Sequence, residues 1–292
     1  MIKKFSLPGF IEKHDLIMLF LNYYREHKEY FYEDRIIDSF YGADPRLIWR
    51  GGRDIPVQKN QPTMQESIDN FSQFNRIKLR HVFTNCLITE QICNDYLCNQ
   101  FVKRYIRLQD EVIINHPLLI EHFKQNYPHI PIIYSTTIGI TDIDKINDLT
   151  KNNIYVMNYN YNNNETYIKS LKHPEHIEIL CAEPCIPNCP NRMKHYTAIS
   201  KSILDVKLTP NDITNCPFKS EGNIFSKIMQ LPHAITNKRI NELSEMGFEY
   251  FKISGRTIRL PQWIETIVYY LVKPEYCNLV YETLIDATLS ND

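Results

Sequence analysis

The chain has almost no net charge. Its 33 lysines and arginines stand against 34 aspartates and glutamates over 292 residues, a formal balance of -1. No whole-protein field draws it to DNA, RNA or an anionic membrane, and a nucleic-acid role is disfavoured. Long hydrophobic runs are missing too. Residues 16–21 and 264–272 are too short or too interrupted to span a bilayer. Residues 1–8 carry no apolar run of the length a secretory signal needs. A soluble, cytoplasmic protein with no membrane partner is expected. Glycine is scarce, 8 residues against 19 tyrosines, and no Gly-rich phosphate turn follows the first strand-like run. There is no G-x-S-x-G nucleophile elbow and no H-E-x-x-H zinc helix, so no nucleophile comes with a partnered base.

What is present is an alternation of short apolar runs and helical patterns. Strand-like runs fall at 4–7, 35–40, 78–83, 111–114, 130–134, 153–157, 177–180 and 250–253. Helical patterns lie between them, among them 14–30, 63–75, 90–106, 118–125, 143–149, 164–171 and 237–246, and a last one at 261–271. Thr63 is placed to cap its helix, and Pro261 stands in the first turn of the last one. Eight strands alternating with helices predict a single (β/α)8 TIM-like barrel over residues 1–292. An extended segment at about 185–235 follows the seventh strand. No linker or low-complexity stretch divides the chain.

In such a barrel, chemistry sits at the C-terminal ends of the strands. That rule gathers Tyr41, Asp44, Thr84, Asn85, Asn115, His116, Ser135, Thr136, Asn158, Asn160, Ser254 and Arg256 onto one rim. Each also has a plainer reading, because polar residues follow strands wherever chains turn at the surface.

The same rim holds the densest chemistry in the sequence. Residues 177–196 read I-E-I-L-C-A-E-P-C-I-P-N-C-P-N-R-M-K-H-Y, with Cys181, Cys185 and Cys189 spaced four apart. Cys189-Pro190 is echoed by Cys216-Pro217. Eight cysteines in a reducing compartment favour metal binding or free thiols over disulfides. Three local thiolates and one distant one suit an iron–sulfur cluster. Zinc is the lesser alternative, since structural zinc sites favour C-x-x-C knuckles. Cys181 is the uncertain ligand, because inside a strand it points either at the site or into packing. Cys86 is the spare. Cys93, Cys98 and Cys277 lie on helical patterns and read as packing thiols.

The run 183–192 (E-P-C-I-P-N-C-P-N-R), His195, Cys216-Pro217 and the later 250–256 (Y-F-K-I-S-G-R) together resemble the collagenase-like peptidase family, peptidase family U thirty-two. There a cysteine-bearing strand end is followed by a K-I-x-G-R strand, and a Tyr-Gly turn after the second strand, here Tyr41-Gly42, is similar. The resemblance implies a TIM-like barrel and, for several members, a [4Fe–4S] cluster on four cysteines. It also implies oxygen-independent hydroxylation chemistry in some members and a partner protein of the same family in others. The cysteine spacing here departs from the quinone-pathway members, and the extra C-terminal domain of longer members is not expected within these 292 residues.

Neighbouring residues complete the candidate site. Glu183 is a possible general acid/base, or else a cap for the following turn. Arg192 and His195, three apart, are placed to share a helical face, to hydrogen-bond sulfur or to grip an anion. Lys252 and Ser254 alternate onto one strand face. Lys252 is expected in a buried ion pair, with a Schiff-base amine as the sharper alternative. Arg256, presented by Gly255, is the better substrate-gripping cation. The leading expectation is an iron–sulfur-dependent tailoring enzyme acting on a small molecule, peptide or RNA. A peptidase and a non-catalytic, cluster-bearing partner subunit are the alternatives.

Overall fold

The strand-like runs close on themselves. In the computed structural model, which describes residues 1–53, 62–74, 76–205 and 224–289, eight parallel strands form one closed barrel in chain order. They are β1 (Lys3–Pro8), β2 (Arg35–Gly42), β3 (Lys78–Phe83), β4 (Glu111–Ile114), β5 (Ile132–Tyr134), β6 (Tyr155–Val156), β7 (Ile177–Cys181) and β8 (Tyr250–Ile253). Each strand pairs in parallel with the next, and β8 pairs back onto β1 with Ser6 opposite Lys252. This is the (β/α)8 barrel expected from the alternation.

The helices follow the same order. They are α1 (His14–Glu26), α2 (Met64–Ser72), α3 (Glu90–Cys93), α4 (Tyr96–Tyr105), α5 (Pro117–Asn126), α6 (Ile143–Leu149), α7 (Glu165–Ser170), α8 (Arg192–Leu204), α9 (Phe225–Ile228), α10 (Asn237–Glu245), α11 (Leu260–Leu271) and α12 (Cys277–Leu289). Thr63 caps α2 as predicted, in a reciprocal capping box with Glu66. The pattern at 90–106 breaks into α3 and α4, because the Asp95 carboxylate accepts the Cys98 amide and starts a new helix. The run 153–157 shortens to β6, where Asn158 bends the chain by accepting the Asn160 amide. Among the described residues no helix is long and apolar enough to cross a membrane.

Outward-facing strand residues such as Phe5, Leu79, Val112, Ile179 and Phe251 join the helices in one apolar core. The inward set stacks in tiers. At the N-terminal end lies a charged layer. The fully buried Arg80 pairs with Glu178 through Nη1, with Glu111 at 2.7 Å and with Asp38 at 3.3 Å. Above it sits an apolar collar of Tyr41, Val82, Ile113, Ile133, Val156 and Leu180. Polar residues crown the collar at the C-terminal strand ends. Both faces of every strand are therefore covered, as a parallel sheet requires.

Candidate active site at the barrel mouth

A cavity of about 90 Å³ opens at the C-terminal end of the barrel. Val82, Ile113, Val156 and Leu180 contribute its apolar lining. Tyr41, Arg53, Thr84, Ser135, Glu183, Tyr196, Lys252, Ser254 and Arg256 are among its polar ones.

Glu183 is the anion of this site. Straight after β7 the backbone of Ala182 takes a left-handed φ of 53°, a conformation that costs a non-glycine residue about 1 kcal/mol. Ala182 thus turns the chain out of the strand at the residue before Glu183. The carboxylate is buried, yet it accepts Ser254 Oγ at 3.0 Å, Arg53 Nη2 at 3.2 Å and the Cys185 amide at 3.3 Å. Burial alone would push its pKa up. Arg53 and Arg192, with the hydrogen bonds, outweigh burial and hold it below the usual carboxylate range. Glu183 is therefore ionised at neutral pH. His233 donates from Nε2 to the Glu183 carbonyl, 3.0 Å away, and so fixes the main chain.

Arg53 is not among the residues that the sequence singles out. Gly51 and Gly52 are the signal that could have found it. A Cβ at Gly51 would lie 2.2 Å from the Thr84 carbonyl oxygen, and Gly52 has a φ of +76°. Two glycines let the chain press against the end of β3 and aim the next side chain across the mouth. Arg256 reaches the same loop from β8, donating to the Gly51 carbonyl at 3.0 Å, and lies 3.9 Å from Glu12. Three cations, Arg53, Lys252 and Arg256, thus line one cavity with a single carboxylate, Glu183. The mouth is a cationic enclosure.

Arg192 and His195 stand elsewhere. Arg192 spends its donors on Tyr196 at 3.1 Å, Asn158 at 3.0 Å and Thr136 at 3.2 Å, and its guanidinium lies 4.4 Å from the Tyr159 ring centre. It braces the start of α8 against the ends of β5 and β6. Neither Arg192 nor His195 lines the cavity. Several other rim residues are fasteners as well. Asn85 holds the Ile48 carbonyl at 2.6 Å, the Asn160 side chain accepts the Asn188 amide, and His116 caps α5. Tyr41, Thr84, Ser135, Thr136, Ser254 and Arg256 do line the cavity.

Among the described residues, the cysteines expected as ligands (Cys181, Cys185 and Cys189) do not converge as a ligand set. Cys181 is fully buried, turns outward with Ile177 and Ile179 into the helix-facing core, and its thiol lies 3.7 Å from the Ile179 carbonyl oxygen. Strand alternation decides this, since Leu180 takes the inward position. Cys185 is half-buried at the collar, where burial and the neighbouring Glu183 carboxylate push its thiol up to about 12. Cys189 is half-buried on the same loop, and Cys216 lies outside the described residues. Among the described residues no three histidine, cysteine or acidic side chains converge as metal ligands. A four-thiolate set that includes Cys181 does not fit this donor arrangement.

No family model matches this chain, and no curated protein matches it. Among solved structures it is similar to that of the U32 peptidase Mk0906, at 14% sequence identity and a TM-score of 0.54. The match covers 87% of this chain and 94% of the other. What the two chains share is the fold, so this protein is built on the barrel also seen in a U32 peptidase.

Proposed function

We propose that the barrel mouth is the active site of an enzyme that modifies a small anionic substrate, in keeping with the tailoring branch of the collagenase-like peptidase family. The observation that carries this reading is that Arg53, paired with the ionised Glu183, lines one cavity together with Lys252 and Arg256 at the C-terminal end of the barrel. Cations around a restricted cavity attract and orient a carboxylate or phosphate. Glu183 already accepts from Arg53 and Ser254. An anionic group entering the mouth competes for the Arg53 guanidinium and frees one carboxylate oxygen of Glu183. That oxygen then accepts a proton or hydrogen bond from the substrate. Because its pKa is held down, Glu183 acts as acceptor and not as proton donor.

A cluster-dependent form of the reaction would rest on Cys185, Cys189 and Cys216, without Cys181. The peptidase alternative finds no activated thiol in Cys185, the cysteine at the collar. The Cys185 thiol stays protonated at neutral pH, where a cysteine protease needs a thiolate.

The test is calorimetric binding of short carboxylates and phosphates against neutral isosteres. Anions are expected to bind preferentially. Arg53→Gln should weaken them roughly 10- to 100-fold, the worth of a charge-assisted hydrogen bond at ~1.5–3 kcal/mol. Equal binding of neutral isosteres, or no effect of Arg53→Gln, would sink the proposal.

A further inference from the structure

The inward face of β8 carries an amine, Lys252, in a setting that charge alone does not explain. Lys252 lines the mouth cavity, yet its Nζ has no hydrogen-bond partner. The buried carboxylate beside it is Glu178. One Glu178 oxygen, however, is taken by Arg80, and the other stands 3.6 Å from Nζ with no hydrogen bond of its own. The ammonium also lies over the Tyr41 ring, whose centre is 3.9 Å away. The Tyr41 hydroxyl is committed to the Ile253 carbonyl at 2.7 Å. Ser6 pairs with Lys252 from β1, and its hydroxyl is unpartnered too.

We infer that Lys252 is a nucleophilic amine that forms a Schiff base with an aldehyde or ketone carbonyl borne by an anionic ligand in the barrel mouth. The anionic part of this inference rests on the proposed function, whereas the amine chemistry stands on the Lys252 geometry. A buried amine without a hydrogen-bond partner, facing a cavity, is what such chemistry needs. Glu178, in a charged layer fixed by Arg80, Glu111 and Asp38, is positioned to take the proton that the ammonium must lose. Burial, with Arg80 and Arg256 adding to it and only Glu178 opposing, pushes the Lys252 pKa down to about 8. At neutral pH its free-amine share is then on the order of 100-fold that of an ordinary lysine.

The step balances simply. The amine lone pair forms a carbon–nitrogen bond to the carbonyl carbon, and the carbonyl electron pair moves to oxygen. After proton transfer from nitrogen, and with one further proton from solvent, that oxygen leaves as water. A protonated imine remains, and nothing is oxidised or reduced. Arg53 and Arg256 are placed to hold the carboxylate of a 2-oxo acid while the neighbouring carbonyl meets Nζ.

The full chain incubated with pyruvate and sodium cyanoborohydride at neutral pH should gain one carboxyethyl group, mapping by peptide mass spectrometry to Lys252. Surface lysines should lag by about ten-fold or more, and the adduct should be absent from Lys252→Arg. Labelling spread evenly over surface lysines, with none favoured at position 252, would overturn the inference even if Lys252→Arg fails to fold. Labelling of Lys252 by propionaldehyde but not by pyruvate would uphold the amine and overturn the anionic ligand. Failure of both carbonyls, with anion binding still weakened by Arg53→Gln, would overturn the Schiff base and leave the proposed function standing.

Discussion

Single side chains on this barrel are decided by which way a strand turns them. Cys181 and Lys252 occupy neighbouring strands one register step apart, since Leu180 pairs with Lys252 and Cys181 with Ile253. One step sends the thiol out to the helices and the amine into the mouth. Cys181→Ala should therefore lower stability by about 1 kcal/mol, the cost of a small buried void, and leave any bound iron and acid-labile sulfide unchanged. Denaturant melts with iron and sulfide analysis of anaerobically purified protein check both halves. Loss of iron in Cys181→Ala, with Cys185→Ala and Cys189→Ala retaining it, would contradict the outward placement. Ala182, Glu183 and Arg53 show the complementary point: a strained backbone and a glycine pair place one ion pair across the mouth.

At the scale of elements, the loops after β2, β7 and β8 build the site, and their fasteners explain why so many rim residues are polar. Asn162 donates to the Leu180 and His233 carbonyls, both at 2.9 Å, and ties β7 to the segment before α10. The turn after β8 depends on Gly255, which has a φ of +133°, and a Cβ there would lie 2.6 Å from Ile258 Cδ1. Gly255→Ala should cost about 2 kcal/mol or more, since it adds backbone strain to a clash. It should also weaken anion binding by misdirecting Arg256. Chemical denaturation and calorimetry on the same variant check this pair of effects. An unchanged denaturation midpoint would mean that the turn relaxes freely.

Across the whole molecule, the barrel is closed around charge at one end and around a polar cavity at the other. Asp110, just before β4, accepts the Leu79 amide at 2.8 Å and the Arg107 guanidinium at 2.8 Å, with His81 3.8 Å away. Burial raises its pKa, but His81, Arg107 and the Leu79 amide pull it down from 3.8 to about 2. A carboxyl depressed in the folded state adds stability above its unfolded pKa and loses it as pH falls through the folded value. Asp110→Asn should thus destabilise the chain by about 2 kcal/mol at neutral pH. The difference from wild type should shrink between roughly pH 4 and pH 2, as followed by circular dichroism. A difference that stays constant through that window would rule out the ionised carboxylate as its source.

The sequence by itself determined the strand count, the order of elements and the rim on which polar residues gather. Alternating apolar runs and helical patterns are local signals, written in neighbouring residues. It also marked Glu183, Arg256 and Lys252, because each adjoins a strand end, and Gly255 announced the turn beside them. Tertiary structure alone decided which of those residues share a cavity. Arg53 lies 130 positions from Glu183, and only barrel closure brings them into contact. The facing of Cys181 hung on a single step of register, and the bracing role of Arg192 on partners from β5 and β6. Spacing of four along a loop suggested a thiolate cluster, but strand twist and packing set side-chain direction. Direction, not spacing, separates Cys181 from the barrel mouth.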